Sequence, residues 1–173
     1  MQQHSTLHIR DARADERATI RELTLAAYAE YATVMTASAW AGLDHAVRMA
    51  LDGEETAERI VAERGGALIG SVMLCPPASD AYGGAVARID WPEVRLLAVA
   101  EAARGQGVGI ALMHECIRRA RRAGARALGL HTSKSFHTAR RMYERMGFVR
   151  VPTYDFQPDG AELVMAYRLD LAD

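Results

Sequence analysis

The chain has 173 residues, of which half are hydrophobic and a quarter are charged. This composition is typical of a folded protein and excludes a disordered chain, and the length suits one domain over residues 1–173. Lysine and arginine number 21 against 22 aspartate and glutamate, a formal net charge of −1, so the charge gives no reason to expect nucleic acid or a membrane as a partner.

The N-terminal half of the sequence predicts one strand, two helices and a hairpin. Leu7 and Ile9 alternate with polar residues, as in a short strand, and apolar residues then recur at helical spacing from about Asp15 to Tyr31. A less periodic helix is expected within 36–58. Strands at 59–64 and 67–75 flank Gly65-Gly66, a typical hairpin signal, and a glycine- and alanine-rich loop is expected at 79–87.

The C-terminal half predicts alternating strands and helices. A strand is expected at 93–99, where the almost continuously apolar run of 96–99 suits a central strand. Amphipathic helices are expected at 108–123 and 136–146, each ended by a glycine, and further strands at 126–131, 148–151 and 162–169. This order predicts an α/β fold with a mixed, mostly antiparallel central sheet, helices on both faces and at least one βαβ crossover.

Metal and membrane signals are weak in this sequence. Cys75 and Cys116 lie in apolar stretches without metal-ligand spacing, so we expect two buried thiols and no metal. No apolar run approaches the roughly 20 residues of a membrane-spanning helix, and the first residues lack the apolar core of a signal peptide. We therefore expect a cytoplasmic protein.

A cluster of glycines stands between the strand at 93–99 and the next helix, in the order Arg104-Gly105-Gln106-Gly107-Val108-Gly109. A helix N-terminus presents unpaired N–H groups and a partial positive charge, and glycines allow a pyrophosphate to approach them. A P-loop would need Gly-Lys-Ser/Thr here, and a dinucleotide site would open the first βαβ unit with an acidic residue on the next strand. Neither pattern is present.

Two segments resemble the signatures of one enzyme family. Residues 104–109 match the Arg/Gln-x-x-Gly-x-Gly/Ala signature of the GNAT superfamily of acyl-CoA-dependent N-acyltransferases. Residues 139–148 resemble its second signature through Ala139, Tyr143 and the terminal Gly147-Phe148. The order and spacing of the two signatures also agree, so the resemblance implies a GNAT-like fold and acetyl-CoA as co-substrate.

The resemblance implies a particular cofactor path. The backbone of Leu97, Ala98 and Val99 would pair with the pantetheine arm like an added strand. The turn of Arg104, Gly105, Gln106, Gly107, Val108 and Gly109 would wrap the pyrophosphate, and the strands at 93–99 and 126–131 would splay to admit the thioester. Many family members carry an asparagine that contacts the arm where this chain has Phe136, so that contact is lost or supplied elsewhere, with Ser133 or Ser135 as candidates.

Acetyl transfer to an amine requires removal of a proton from the ammonium ion and stabilisation of the departing thiolate. Glu93 is the candidate general base, since similar enzymes often place a glutamate at the start of this strand, and a solvated strand-end carboxylate is the alternative. His131 is a second candidate base, although a structural or capping role suits this strand end better. Tyr143 is the candidate general acid, because a phenol is neutral at pH 7 yet can share a proton with a thiolate; a purely packing role is its alternative. By resemblance, a backbone N–H near Val99 would bind the oxyanion.

The acceptor is expected to lie near residues 28–43 and 79–91. Five aromatic residues could wall its pocket: Tyr28, Tyr31, Trp40, Tyr82 and Trp91. A small-molecule primary amine is the leading acceptor, and a protein N-terminus or lysine is the alternative. A non-catalytic acyl-CoA-binding module and a nucleotide-binding fold also remain open, and the resemblance allows for a homodimer.

Overall fold

The computed structural model of the chain describes residues 5–53, 56–78, 84–86 and 88–172. Its strands are β1 (His8–Asp11), β2 (Glu58–Arg64), β3 (Ala67–Cys75), β4 (Glu93–Val99), β5 (Ala127–Ser133), β6 (Val149–Arg150) and β7 (Val164–Asp170). Its α-helices are α1 (Arg17–Ala29), α2 (Ala37–Gly53), α3 (Val108–Arg122) and α4 (His137–Arg145). Short 3₁₀ segments lie at Ala14–Glu16, Glu30–Thr33, Glu101–Ala103 and Pro152–Tyr154.

The seven strands form one sheet in the order β1-β2-β3-β4-β5-β7-β6. Only β4 and β5 pair in parallel, and α3 supplies the crossover between them. The mixed, mostly antiparallel sheet that the sequence predicts is therefore confirmed, as is the hairpin of β2 and β3. The insertion of β7 between β5 and β6 is a long-range arrangement that no local pattern indicated.

Helices cover both faces of the sheet, as two neighbouring residues of β3 demonstrate. A Cβ atom on Gly70 would lie 2.9 Å from Val108 and 3.0 Å from Leu112 of α3. The hydroxyl of Ser71 lies 3.4 Å from that of Thr24 on α1. Because successive strand residues point to opposite faces, α1 and α3 lie on opposite sides of the sheet. The absence of a side chain at Gly70 allows α3 to pack directly on the backbone of β3.

Several element boundaries differ from the prediction by one to three residues, and two of them show the effect of tertiary contacts. The first helix ends at Ala29, and Tyr31 lies in the 3₁₀ segment that follows, so the tighter turn redirects its ring. The strand predicted at 126–131 continues to Ser133, because Thr132 and Ser133 pair with Met165 and Val164 of β7. In both cases tertiary pairing or packing, rather than local hydrophobic pattern, determines the end of the element.

A bulge in β4 opens the sheet. Arg95 pairs with Met73 and Ala98 with Ser71, so two residues of β4 oppose one residue of β3. Leu96 within the bulge has a φ of +50°, a left-handed conformation that leucine rarely adopts. Strained backbone of this kind is concentrated at functional sites. The bulge bends β4 away from β5 directly after their last paired residues.

The predicted buried thiols are present. Cys75 and Cys116 are both buried and reduced, and burial raises the pKa of Cys116 to about 12. A thiol in such surroundings is protonated at neutral pH and therefore a poor nucleophile. Nothing in the described residues assigns it a chemical role.

Acid sensitivity is expected from the ion pairs of α3. Glu115 accepts hydrogen bonds from Arg118 and Arg119, each 2.8 Å from Nε. The Arg118 bond is the main cause that lowers the pKa of Glu115 to about 2. Since this pKa is depressed in the folded state, the stabilisation is present above the ordinary value of about 4.5 and is lost as the pH falls toward about 2.

We therefore expect the free energy of unfolding to decline between about pH 4.5 and pH 2. Glu115→Gln should lower it at pH 7 by on the order of 1–2 kcal/mol, and should flatten the acid decline. Denaturant titrations of both proteins across this range measure the effect. An equally steep decline in the variant would contradict it.

Candidate active site

The glycine-rich turn lies at the start of α3 with its backbone open. Gly105 and Gly107 have φ values of +70° and +80°, and a Cβ atom on either would meet nothing within 4 Å. Gly107 caps α3 and has no side chain to occupy the first N–H groups of the helix. These N–H groups and the helix dipole form a concave donor surface of the kind that binds phosphate.

The side chains of the turn are held away from this surface. Arg104 pairs with Glu30 at 2.5 Å, and its Nε lies 3.4 Å from the carbonyl oxygen of Val99. Gln106 donates to the carbonyl oxygen of Ala102 at 2.9 Å and accepts from Arg64 at 2.5 Å. These contacts leave the backbone of the turn uncovered by the two side chains, and the Arg104 guanidinium links the turn to the 3₁₀ segment that follows α1.

An opening in the sheet begins beside this turn. β4 and β5 pair only at Glu93 with Gly129 and at Val94 with Leu130. From Leu97 to Val99 the edge of β4 that faces β5 has no ladder partner among the described residues, so its backbone groups can pair with an extended ligand. Leu97, Ala98 and Val99 form this free edge, and the implied splay of the two strands is present.

Tyr143 lies on α4 beside the opening, 7% exposed and packed at 6.0 Å from the ring of Phe148. No hydrogen bond joins its hydroxyl to a residue that the structure describes. Burial is the main cause that raises its pKa, and Tyr28 and Tyr31 add to the effect. The phenol is therefore neutral throughout the physiological pH range, and it remains a hydrogen-bond donor.

Aromatic contacts connect the α1 side of the sheet to the start of α4. Tyr28 and Tyr31 belong to the α1 side of the sheet, whereas α4 packs with α3 in the main core on the other side. Tyr31 stacks on Phe136, the residue that caps α4, with ring centroids 4.0 Å apart. Tyr28 contacts both rings edge-on. The two helices thus meet across the opening, and these aromatic rings border it.

Glu93 begins β4 in a buried position, not at a solvated strand end. Its Oε2 lies 3.0 Å from Nδ1 of His131, and the side chains are 7% and 3% exposed. The other imidazole nitrogen, Nε2, lies 2.9 Å from the carbonyl oxygen of Tyr154. The structure therefore brings together the two residues that the sequence offered as alternative bases.

Hydrogen-bond chemistry defines how many protons this pair holds. A carbonyl oxygen only accepts, so Nε2 of His131 must carry a proton. The contact between Nδ1 and Oε2 then requires one further proton, placed on the nitrogen or on the carboxyl group. Glu93 and His131 consequently act as one unit that shares a proton in a nearly dry environment.

Glu93 and Tyr143 flank the opening from opposite faces. Glu93 is paired with Cys75, which shares the face of Ser71 and therefore of α1. Tyr143 belongs to the core cluster around α3. A molecule reaching the opening from the α1 side would meet the carboxylate, and one lying toward α4 would meet the phenol.

The two serines suggested as substitutes for the missing asparagine are engaged elsewhere. The hydroxyls of Ser133 and Ser135 donate to Glu162 at 2.5 and 2.6 Å. Burial opposes the charge of Glu162, but these bonds and the Ser135 backbone N–H outweigh it, so its pKa is lowered. Sequence reasoning missed Glu162 and Tyr154, since both lie in irregular segments without a motif.

The predicted acceptor aromatics are only partly brought together. Trp91 lies flat on Gly129, where an added Cβ would come within 2.2 Å of its Nε1, and contacts Tyr154 edge-on at 5.1 Å. Trp91 thus lies on the same face as Glu93, whereas Tyr28 and Tyr31 border the opening. Trp40 is half-buried on α2, and Tyr82 lies outside the described residues.

Metal-ligand groups and membrane-spanning helices are both absent from the part of the chain that the structure describes. There, no group of three or more His, Cys, Asp or Glu side chains could hold a metal ion. No helix among the same residues combines the length and apolarity needed to cross a bilayer.

The chain is similar to known proteins over more than its two signature segments. A family model described as the Acetyltransferase (GNAT) family matches residues 18–148. No curated protein is significantly similar to the chain. A GNAT acetyltransferase from Brucella melitensis, solved in complex with acetyl-CoA, is 23% identical with a TM-score of 0.64, covering 98% of this chain and 91% of that one.

Two further solved structures share the fold at lower identity. A GNAT acetyltransferase from Staphylococcus aureus Mu50 is 14% identical with a TM-score of 0.71, covering 96% of this chain and 100% of that one. The ribosomal-protein-S18-alanine N-acetyltransferase of Escherichia coli is 16% identical with a TM-score of 0.65, covering 97% and 96%. These similarities concern the fold alone. The family model, by contrast, spans well over half of the sequence and includes both signature segments. The chain therefore belongs to the GNAT family of acetyltransferases.

Proposed function

We propose that residues 1–173 form one domain that transfers an acetyl group from acetyl-CoA to the primary amine of a small molecule. Two observations together carry the proposal: the open backbone at Gly105 and Gly107, and the end of β4–β5 pairing after Val94. Family membership supports acetyl transfer, and the Brucella melitensis protein of the same fold was solved with acetyl-CoA.

In this proposal the cofactor lies along the free edge of β4. The backbone of Leu97, Ala98 and Val99 hydrogen-bonds the pantetheine arm as an added strand would. The pyrophosphate rests on the N–H groups from Arg104 to Gly109. The close approach of the phosphates to this backbone depends on glycine, because a Cβ atom on Gly105 or Gly107 would project into the space that the phosphates occupy.

Glu93 and Tyr143 carry the proton transfers. Glu93, oriented by His131, takes a proton from the acceptor ammonium directly or through one water, and the freed lone pair attacks the thioester carbon. The C–S bond then breaks with its electron pair passing to sulfur, and Tyr143 donates its phenol proton to that sulfur. The attacking nitrogen loses its surplus proton to become an amide, and that proton returns the phenol to its neutral form, directly or through water. Because burial raises the pKa of Tyr143, the phenol stays protonated until the C–S bond breaks, and its hydrogen bond to sulfur strengthens as charge develops there.

The acceptor approaches from the α1 face, where Glu93 lies. Glu93 is only 5% exposed, and its partner His131 is covered by Tyr154 and by the ring of Phe156 at 5.5 Å. A slender amine reaches such a carboxylate more readily than a folded protein surface does. This burial supports a small-molecule acceptor over a protein lysine or N-terminus.

Incubation of the protein with acetyl-CoA and pools of small amines tests the proposal, with thiol release and product mass as readouts. Peptides with free N-termini or lysines form the second arm, and ATP competition tests a nucleotide site. Acetyl-CoA binding with a new acetylamine product is expected. Acetylated peptide alone would change the acceptor class, binding without turnover would indicate a non-catalytic module, and displacement by ATP would contradict the cofactor.

Glu93→Gln should lower activity most where the acceptor amine is protonated. The glutamine amide can still donate to Nδ1 of a neutral His131, so the variant removes the base while retaining the contact. We expect a loss of about 10²-fold or more near pH 6.5, and a smaller loss near pH 9.5, where more of the amine is already neutral. Acetyl-CoA affinity should hardly change.

A pH–rate profile of both proteins checks this expectation. His131→Asn and the double variant are the matched controls, because two groups that act as one unit give effects that do not add. An equal loss at both pH values would show that Glu93 is not the base. His131 would then be the next residue to test.

A further inference from the structure

One buried hydroxyl on β5 has no hydrogen-bond partner among the residues that the structure describes. Three buried side-chain atoms of the described residues lack a hydrogen bond: Thr132 Oγ1, Arg140 Nε and Arg168 Nε. Arg140 still donates through Nη1 to the carbonyl oxygen of Lys134, and Arg168 Nε lies 3.0 Å from Asp170. Thr132 differs from both, because its single polar side-chain atom has no such contact.

An unpaired buried hydroxyl is costly. Thr132 is 4% exposed, and leaving such a group without a partner costs roughly 1–3 kcal/mol. Proteins rarely retain this cost without a use for the group, and a bound ligand is one way to recover it. The position of Thr132 indicates which ligand this is.

Thr132 lies where the sheet opens. Leu130 is the last residue of β5 that pairs with β4, and Thr132 follows two positions later. Because side chains alternate along a strand, Thr132 shares the face of Leu128 and Leu130, which pack in the core around α3. Tyr143 belongs to the same core, so two hydroxyls without a described partner lie on this side of the opening.

The neighbouring hydroxyls do not serve the opening. Ser133 points to the opposite face by the same alternation, and it donates to Glu162, as Ser135 does. Thr132 is therefore the hydroxyl at this end of β5 that remains available to a molecule between the strands.

We propose that the Thr132 hydroxyl hydrogen-bonds a polar group of the pantetheine arm when acetyl-CoA lies between β4 and β5. This inference rests on the proposed function, which places the arm there. The arm carries amide groups that can donate or accept, and a hydroxyl can do either. The Thr132 hydroxyl then stabilises the complex through a hydrogen bond, whereas in the free protein it is unpaired and destabilises the fold.

Thr132→Val separates these two states, because valine has the same shape without the hydroxyl and suits a buried strand. In the free protein we expect an equal or slightly higher melting temperature, since an unpaired group has been removed. Calorimetric binding of acetyl-CoA should weaken by about tenfold. The rise in melting temperature caused by acetyl-CoA should shrink accordingly.

Two controls make the result specific. Thr132→Ser keeps the hydroxyl and should bind acetyl-CoA within a few-fold of the unaltered protein. Adenosine 3′,5′-bisphosphate lacks the arm and should bind the unaltered protein and Thr132→Val equally. Acetyl-CoA binding by Thr132→Val at full strength would overturn the proposal, as would an equal loss for the bisphosphate or a marked fall in the melting temperature of the free variant.

The outcomes distinguish this inference from the function on which it rests. If the unaltered protein does not bind acetyl-CoA, the proposed function fails and the assignment of Thr132 fails with it. If the unaltered protein binds and Thr132→Val binds equally well, only the assignment of Thr132 is wrong.

Discussion

Replacement of Tyr143 by phenylalanine is expected to lower kcat by about 10²–10⁴-fold, the usual effect of losing a positioned general acid. Acetyl-CoA binding should stay near normal, because the ring and its packing on Phe148 are retained. The melting temperature should hardly change, since no described residue hydrogen-bonds the hydroxyl. Steady-state kinetics, calorimetry and thermal unfolding of one preparation measure all three quantities.

Tyr167→Phe is the matched control for this substitution. The Tyr167 hydroxyl donates to Glu144 at 2.9 Å, so its removal should cost about 1 kcal/mol of stability and leave kcat unchanged. An acyl donor with a more acidic thiol should be less sensitive to Tyr143→Phe, because a better leaving group needs less stabilisation. Full kcat in Tyr143→Phe with acetyl-CoA and a good acceptor would show that the tyrosine only packs.

Replacement of Gly107 by valine is expected to abolish acetyl-CoA binding. A Cβ atom at this position meets nothing within 4 Å, so the valine side chain would stand in the space assigned to the pyrophosphate without disturbing the free protein's packing. The backbone itself carries strain, because φ is +80° and a β-branched residue disfavours that conformation. We expect a loss of stability of about 1–3 kcal/mol, with the protein still folded.

Gly124→Val is the control that carries the same strain without the ligand. Gly124 follows the other end of α3, has a φ of +77° and is equally open. Both valine variants should lose similar stability, and only Gly107→Val should lose acetyl-CoA binding in calorimetry. An unchanged dissociation constant for Gly107→Val would rule out the cofactor site at this turn.

The sequence by itself determined the family and most of the elements of this protein. Local signals sufficed for these: the glycine pair between β2 and β3, the apolar stripe of α3, and the two signature segments at 104–109 and 139–148. Such features depend on the backbone freedom of glycine and on the periodic spacing of apolar residues, and both can be recognised within a short stretch of sequence. The mixed sheet followed from the order of the elements, and the structure confirms it.

The site itself depended on contacts that no local pattern contains. Glu93 and His131 are 38 residues apart, and only the parallel pairing of β4 with β5 makes them one proton-sharing unit. The bulge at Leu96 opens the gap beside them, although leucine carries no signal for a positive φ. Thr132 lies two residues beyond the last β5 residue that pairs with β4, and its hydroxyl has no hydrogen-bond partner among the described residues. Burial and pairing depend on distant segments of the chain that come together in the fold. The tertiary structure alone therefore decided that Glu93 and His131 are in contact and that the Thr132 hydroxyl is buried without a described partner.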